Sequence, residues 1–353
     1  MLGHRLLVSV FCARFREFNQ IFSYRFHIHI KCADSMQYIG EILSLVVAVA
    51  WTGAALFSEA ATLRIGTIVL NVIRMAGSLL VLGVILWVVT GFPLPQYLNA
   101  EAWLWLSLSG LVGYVFGDYC LFNSYLTIGS RYGQLFMTLA PLAAALAGWL
   151  ILGEKMSLMG ILGMLVVGTG IGMSVLNKGG SGQHRPHLKL PVRGVLYGIG
   201  AAVGQGVGLV LSKLGMEHYQ DGIAVHFGGD LTQAGAVLDY VPVASTFVRA
   251  ITGLIGFFII MVLSGKARRL APALRDKKGM LFTFCAILCG PTIGVSLSLL
   301  ATLYTNAGVA QTLMSLTPVL IIWPTWLIYR QKVTVLEVVG ACVAVAGASL
   351  FFL

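Results

Sequence analysis

The chain has 353 residues, of which 58% are hydrophobic and only 10% are charged, and its formal net charge is +10. A soluble protein of this length needs a more highly charged surface, so the composition excludes a soluble domain and predicts a polytopic membrane protein. Basic residues between membrane spans commonly mark the cytoplasmic face, so the positive charge does not indicate nucleic-acid binding.

Residues 1–35 differ from the rest of the chain. They are basic, with scattered aromatic residues and with apolar runs that are too short to cross a membrane. They also lack the long apolar core and the cleavage site of a signal peptide. A long apolar run begins just after Met36. We interpret residues 1–35 either as a basic tail or as a misassigned start, with Met36 as the true initiator.

Ten predicted membrane spans follow, each with the length of about 20 residues that a bilayer core requires. The polar linker 177–193 divides them into a first five-helix repeat at 38–176 and a second at 194–353. A polar stretch at 216–242 has no counterpart in the first repeat and is interpreted as an inserted loop, with room for a short surface helix. The predicted spans are 39–58, 65–90, 102–126, 131–153, 157–176, 194–215, 243–264, 280–304, 308–329 and 334–353.

The clearest internal similarity lies at the end of each repeat. Residues 129–176 and 306–353 align without a gap at an offset of 177 positions. Each copy has a proline about ten residues into its span, where it frees a backbone carbonyl and bends the helix at mid-membrane. A self-similar membrane chain with interrupted helices is typical of transporters. The alternative is a packing kink, with glutamines that join neighbouring helices. The residues predicted to line a cavity are Gln134, Met137, Pro141, Gln311, Met314 and Pro318.

The basic loop residues change position between the repeats. In the first repeat they follow spans 1 and 3, as Arg64 and Arg131 do, whereas in the second they follow spans 7 and 9. Because five is an odd number, the second repeat enters the membrane from the opposite side, and every basic loop then shares one face. That face is expected to be cytoplasmic, which places Met36 and Leu353 outside.

Three charged residues fall inside predicted spans. Asp118 lies in span 3, where a carboxylate costs from about 2.5 kcal/mol upward unless it is paired or protonated, so it is a candidate carrier of a coupling proton. Arg74 in span 2 either pairs with Asp118 or holds an anionic group of the substrate. Arg249, in the corresponding span of the second repeat, either joins this set or extends its guanidinium to the interface. A structural ion pair is the alternative for Asp118 and Arg74.

Spans 1 and 6 can also be aligned with each other. Trp51 and Gln205 then occupy matching positions, and both are candidates to project inward, as is Asn71, one helical turn from Arg74. Ordinary helix contacts are the alternative for all three. Span 6 further predicts a face of close helix approach, formed by Gly194, Gly198, Gly200, Gly204, Gly206 and Gly208.

No metal, cofactor or catalytic motif is recognisable. The six cysteines include no C-x-x-C pair and form no cluster with histidines, so neither a metal site nor a cofactor is predicted. The chain has no GxSxG or HExxH motif, and no second aspartate accompanies Asp118 in a predicted span, so no catalytic residue is predicted. The alternatives to a carrier are an intramembrane enzyme that uses Asp118, or a channel, for which a ring of charges is missing.

The chain has two five-span halves, and each contains Gln-x2-Met-x-Leu-x-Pro, then Trp-Leu-Ile, then a glycine-rich last span. Over residues 38–353, this pattern resembles the EamA type of the drug/metabolite transporter superfamily. The resemblance implies an all-α membrane protein with ten transmembrane helices, built as two inverted five-helix repeats around a central cavity. It also implies alternating access and, usually, export of small metabolites or drugs across the cytoplasmic membrane. The expected partners are the lipid bilayer, a small-molecule substrate and a coupling proton, with the chain as a monomer or homodimer. The termini-outside orientation differs from the layout commonly assigned to ten-span members.

Overall fold

The computed structural model describes residues 38–152, 158–177, 187–188, 190–228, 237–238, 240–304, 313–329 and 334–350. These residues are helical apart from connecting segments and two short antiparallel strands, β1 (Leu176–Asn177) and β2 (His187–Leu188). Six helical segments in this part of the chain are long and apolar enough to cross a membrane. The prediction of an all-α, multi-pass membrane protein is therefore confirmed.

The first half of the chain contains three uninterrupted helices and, between the second and the third, a longer run in which the helix type changes. In chain order the elements are α1 (Ile39–Ile65), α2 (Thr67–Thr90), α3 (Ala100–Ser109), the first π segment (Gly110–Asp118, π-helical), α4 (Tyr119–Phe136), a 3-10 turn (Met137–Leu139), α5 (Ala140–Ala147), a π-helical turn (Gly148–Leu152) and α6 (Leu158–Val175).

Two glycines break the helices of this half. Gly129 lies between predicted spans 3 and 4, whereas Gly66 lies beyond the predicted end of span 1 at residue 58, because α1 continues to Ile65. Gly66 has φ +81° and ψ 155°, and Gly129 has φ +81° and ψ 160°. L-residues with a side chain rarely adopt such a backbone, so glycine permits a sharp break here. The helical run from Ala100 to Ile151 has 52 residues, about 78 Å at 1.5 Å per residue. The break at Gly129 divides this run into two segments, each long enough to cross a membrane.

The second half contains one long helix followed by shorter ones. In chain order the elements are α7 (Val192–His226), α8 (Val241–Leu263), a 3-10 turn (Lys266–Arg269), α9 (Leu270–Arg275), α10 (Lys277–Ile287), the second π segment (Leu288–Val295, π-helical), α11 (Ser296–Tyr304), α12 (Thr317–Leu320), α13 (Ile322–Tyr329) and α14 (Val335–Leu350).

The interpretation of residues 216–242 as an inserted loop needs correction in its first part. Helix α7 does not end at residue 215 but continues to His226. Tyr219 and Ile223, one turn apart, are buried in a cluster with Leu82 and Leu86 of α2. The polar residues between them hid this apolar face, which extends the helix beyond the predicted span. Residues 229–236 and 239 lie outside the described part of the chain.

Helices of the two halves pack against each other in matching pairs. Helix α7 packs against α3, the first π segment, α4 and α5, while α1 packs against α10, the second π segment, α11 and α12. In addition, α2 packs against α8, and α6 packs against α14. Three buried charged residues, Arg74, Asp118 and Arg249, lie where α2, the first π segment, α7 and α8 meet.

Candidate functional site: a buried charge centre

Small residues bring α7 into backbone contact with the first π segment. A Cβ atom added to Gly204 would lie 2.7 Å from the Cα of Gly117, and one added to Gly208 would lie 2.9 Å from the Cα of Gly113. Both distances are far below an ordinary contact between carbon atoms. The predicted face of close approach in span 6 is therefore present at these positions. It places Gln205, next to Gly204, against the first π segment.

Asp118, the last residue of that segment, is buried, with only 4% of its surface exposed. Its Oδ2 is paired with Nη2 of Arg74 from α2, and its Oδ1 accepts a hydrogen bond of 2.8 Å from Nε2 of Gln205. The Gln205 amide also donates to the Gly113 carbonyl at 3.2 Å. Both carboxylate oxygens thus have partners, which offsets the cost of removing the charge from water. Asp118 thereby links α2, the first π segment and α7.

Arg74 is held by polar and aromatic groups as well as by Asp118. Its Nη2 donates to Oδ1 of Asn71 at 3.2 Å, and Asn71 donates from its Nδ2 to the Thr67 carbonyl at 3.0 Å. The guanidinium carbon lies 4.7 Å from the centre of the Phe122 ring, within range of a cation–π interaction. The structure thus brings together three predicted residues, Arg74, Asn71 and Asp118, and their role stays a prediction.

Arg249 of α8 is equally buried but has a different environment. Its guanidinium carbon lies 4.6 Å from the centre of the Tyr114 ring, and only 6% of the residue is exposed. No carboxylate pairs with it and no hydrogen bond reaches its guanidinium within the described ranges, and its buried Nε lacks a partner. The hydroxyl of Tyr114 is also buried without a partner there. The guanidinium is therefore enclosed by protein, and the role of Arg249 stays a prediction.

Tyr114 was not among the predicted site residues. It lies four residues before Asp118, and Phe122 lies four residues after it, so the three side chains follow one face of the helix. The two arginines stack on the outer members of this row. The spacing was visible in the sequence, but aromatic residues at helical spacing are so common in membrane spans that it did not indicate a site.

Trp51 and Gln205 make corresponding contacts. Gln205 covers Gly117, where an added Cβ would lie 3.3 Å from its Nε2, and Trp51 covers Gly294 of the second π segment, where an added Cβ would lie 2.6 Å from its Nε1. The proposed alignment of these two residues agrees with this geometry. Their inward projection as substrate contacts stays a prediction.

The two proline stretches lie at helix breaks. Pro141 is in the first turn of α5 and Pro318 in the first turn of α12. Gln134 donates a hydrogen bond of 2.7 Å to the hydroxyl of Tyr125. Met314 is buried against α1, and Met137 packs on the main apolar cluster. The cavity-lining role of all these residues stays a prediction, and Gln311 lies outside the described residues.

A second polar cluster joins helix ends at one end of the bundle. Oγ of Ser130 donates to Glu59 at 2.6 Å. Nη2 of Arg131 lies 3.3 Å from a carboxylate oxygen of Glu337, and the Tyr132 hydroxyl donates to the same carboxylate at 2.7 Å. Arg131, assigned to a basic loop from the sequence, is in fact buried, because its charge is paired with the first turn of α14.

The fold and the buried charges define an integral, multi-pass helical membrane protein. The model of the EamA-like transporter family matches residues 38–176 and 222–353. The chain therefore belongs to the EamA-like transporter family and is a membrane transporter of the drug/metabolite type. A solved crystal structure aligns with a TM-score of 0.51 at 15% identity, covering 88% of this chain and 95% of that one, and supports the fold alone. A search of curated proteins found no match.

Proposed function

We propose that the protein is a secondary transporter that exports a small solute across the cytoplasmic membrane by alternating access, with proton coupling at Asp118. The observation that carries the proposal is the buried contact of Asp118 with Arg74 and Gln205, which joins three helices of a transporter-family bundle. An ion pair of this kind inside a membrane span is expensive to maintain and is by default a candidate functional site.

We also propose that ten spans form two inverted repeats. The offset of 177 positions extends from the proline stretches into spans 3 and 8, where it matches Gly113 with Gly290 and Gly117 with Gly294. The π-helical turns fall at equivalent places, Gly110–Asp118 and Leu288–Val295. The matching helix pairs support the same relation, because each half packs its π segment against the first helix of the other half.

The contacts between helix ends support a shared face for the basic loops. Arg64, at the end of α1, pairs with Asp276 before α10 at 2.8 Å, and the cluster of Glu59, Ser130 and Arg131 lies at the start of span 4. We propose that this face is cytoplasmic and that the C-terminus is outside. A reporter that is active only outside the cytoplasm, fused after Leu353, should be active. Its silence, together with activity of a cytoplasmic reporter at the same position, would reverse the orientation.

Protonation of Asp118 supplies the coupling step. A proton on this carboxylate removes its charge, so that its attraction for Arg74 is lost and Gln205 keeps only a neutral acceptor. The contacts that hold α2 and α7 to the first π segment weaken together, which favours a different packing of the two halves. Deprotonation on the other side of the membrane would restore the original packing.

Reconstituted vesicles with an entrapped pH dye test this coupling. A panel of small metabolites is added under an imposed pH gradient, and solute-dependent proton movement is recorded. We expect it for wild-type protein and not for Asp118→Asn. Glu101→Gln is the matched control, because Glu101 is an acid in the first turn of α3, in the same helical run as Asp118, with its carboxylate largely exposed to solvent. Solute flux with an unchanged pH dependence in Asp118→Asn would reject the coupling role.

The proline stretches give a separate test of the central cavity. If they face it from opposite halves, Gln134→Ala and Gln311→Ala should both change the apparent affinity for a transported solute. Unchanged affinity in both variants, with normal melting temperatures, would contradict the cavity-lining role.

A further inference from the structure

We propose that Arg249 and Tyr114 bind the carboxylate group of a singly charged organic anion, which is the class of substrate that this transporter carries. The inference deepens the proposed transport function and rests on it. It names a site that is distinct from the Arg74–Asp118 pair, which lies one helical turn away along the same helix face.

The charges at the centre of the bundle do not balance. Arg74 and Arg249 are both buried, and Asp118 is the only carboxylate that the described residues place beside them. Arginine does not lose its proton in proteins, so the centre carries one net positive charge. A buried charge without a partner is strongly unfavourable. One carboxylate would neutralise it, whereas a phosphate monoester, with a charge near −2, would exceed it.

The imbalance follows from a difference between the repeats. The offset of 177 positions matches Asp118 with Val295. The second repeat also has an arginine in the span that corresponds to α2, at an offset of 175 positions from Arg74, but has an apolar residue where the first repeat has the acid. Arg249 consequently does not have the intramolecular partner that Arg74 has.

Unused hydrogen-bonding groups surround this arginine. The Tyr114 hydroxyl, the Arg249 Nε and the Oγ of Ser245 are buried without partners among the described residues. Ser245 precedes Arg249 by four residues, which places it on the same face of α8. Buried polar groups normally have partners, and a guanidinium presents parallel N–H groups that fit the two oxygens of a carboxylate. These groups thus lack the acceptor atoms that a carboxylate would supply.

The local packing holds the guanidinium in place. It lies over the Tyr114 ring at 4.6 Å, and a Cβ atom at Gly113 would lie only 3.0 Å from its Nη2. The Nε of Arg74 also lacks a partner among the described residues, but Arg74 is less suited to a ligand, because Asp118 and Asn71 already accept from its Nη2. The cation that remains available is therefore that of Arg249.

Ligand-induced stabilisation of the purified full-length protein tests the site. The probes are four monocarboxylates (acetate, lactate, hexanoate and benzoate) and three compounds matched to benzoate: neutral benzamide, cationic benzylamine and dianionic phenyl phosphate. We expect at least one monocarboxylate to raise the melting temperature in a saturable manner, and none of the three matched compounds to do so. The absence of stabilisation by all four monocarboxylates, or equal stabilisation by benzamide, would overturn the proposal.

Two variants identify the residues involved. Arg249→Met should abolish the stabilisation and, because it removes an unpaired buried cation, should melt above the wild type without ligand. A lower melting temperature would indicate a structural partner and would contradict the proposal. Tyr114→Phe removes only the hydroxyl and should weaken binding about tenfold or more, as expected for a hydrogen bond to a charged group. Unchanged affinity in Tyr114→Phe would remove this residue from the site.

The result is separable from that of the transport proposal. Proton-coupled flux of a neutral solute, without carboxylate binding, would reject the anion site and retain the transporter mechanism. Carboxylate binding that depends on Arg249, without solute counterflow in vesicles, would retain the site and reject the transport function.

Discussion

Substitution of Gly204 by alanine tests the geometry that brings Gln205 to Asp118. A Cβ atom at this position would lie 2.7 Å from the Cα of Gly117 and 3.0 Å from its backbone nitrogen. Both atoms belong to a helix backbone, so neither can rotate away. Because carbon atoms pack at about 3.5–4.0 Å, α7 has to move away from the first π segment by about 1 Å.

This displacement acts on the charge centre. The hydrogen bond from Gln205 to Asp118 is 2.8 Å long, and an increase of about 1 Å takes it beyond the normal range of an N–H···O bond. Overpacking costs about 1–3 kcal/mol, and a lost hydrogen bond to a charged group about 1.5–3 kcal/mol. The higher helix propensity of alanine relative to glycine offsets about 1 kcal/mol of this loss. We therefore expect the free energy of unfolding to fall by about 1.5–5 kcal/mol.

Thermal unfolding of the purified protein in detergent, followed by tryptophan fluorescence, measures the effect. The matched control is Gly168→Ala in α6, because no atom lies within 4 Å of its added Cβ. The control should melt at or slightly above the wild-type temperature, whereas Gly204→Ala should melt clearly below it. If both variants have the melting temperature of the wild type, the backbone contact between α7 and the first π segment is not as described, and the reasoning is refuted.

Two further predictions concern ion pairs at the helix ends. Arg131→Gln should lower the free energy of unfolding, because it removes the cation that lies 3.3 Å from the buried Glu337 carboxylate. Tyr132→Phe keeps both charges and should cost clearly less in the same melting assay, and equal losses would contradict this assignment. The hydrogen bond from Arg64 holds the pKa of Asp276 below its ordinary value. This pair therefore stabilises the protein fully when the pH is above the ordinary pKa of the carboxyl group, and the stabilisation is lost as the pH falls through the lowered pKa. Asp276→Asn should therefore melt below wild type at pH 7, and the difference should shrink below pH of about 4; a difference that does not depend on pH would contradict the role of the pair.

Much of the fold was predictable because membrane spans have a strong sequence signal. Length and apolarity located the helices, and Gly129 breaks the chain between predicted spans 3 and 4. The first helix, however, continues to Ile65, beyond the predicted end of span 1 at residue 58. The pairing of Arg74 with Asp118 was foreseen as one of two options, since a charge at mid-membrane needs a partner. The glycines of span 6 also predicted a close contact, although not which helix would form it.

The remaining features depend on tertiary contacts that have no local signal. The extension of α7 past residue 215 is stabilised by burial of Tyr219 and Ile223 against α2, which residues adjacent in sequence do not reveal. The π-helical geometry of Gly110–Asp118 likewise has no pattern in the sequence that we could use. Burial of Arg131 required knowledge of Glu337, about two hundred positions away along the chain.

The two repeats differ at the charge centre in a coordinated way, and this difference argues for a functional role of Arg249. Where the first repeat has Asp118, the second has Val295, and where Gln205 supplies an amide to the acid, Trp51 covers the equivalent glycine with an indole ring. An apolar residue thus accompanies the loss of the acid. A structural arginine would be expected to disappear with its partner, because an unpaired buried cation destabilises the fold. Since Arg249 remains, its stabilising partner is best sought outside the described residues, in the substrate.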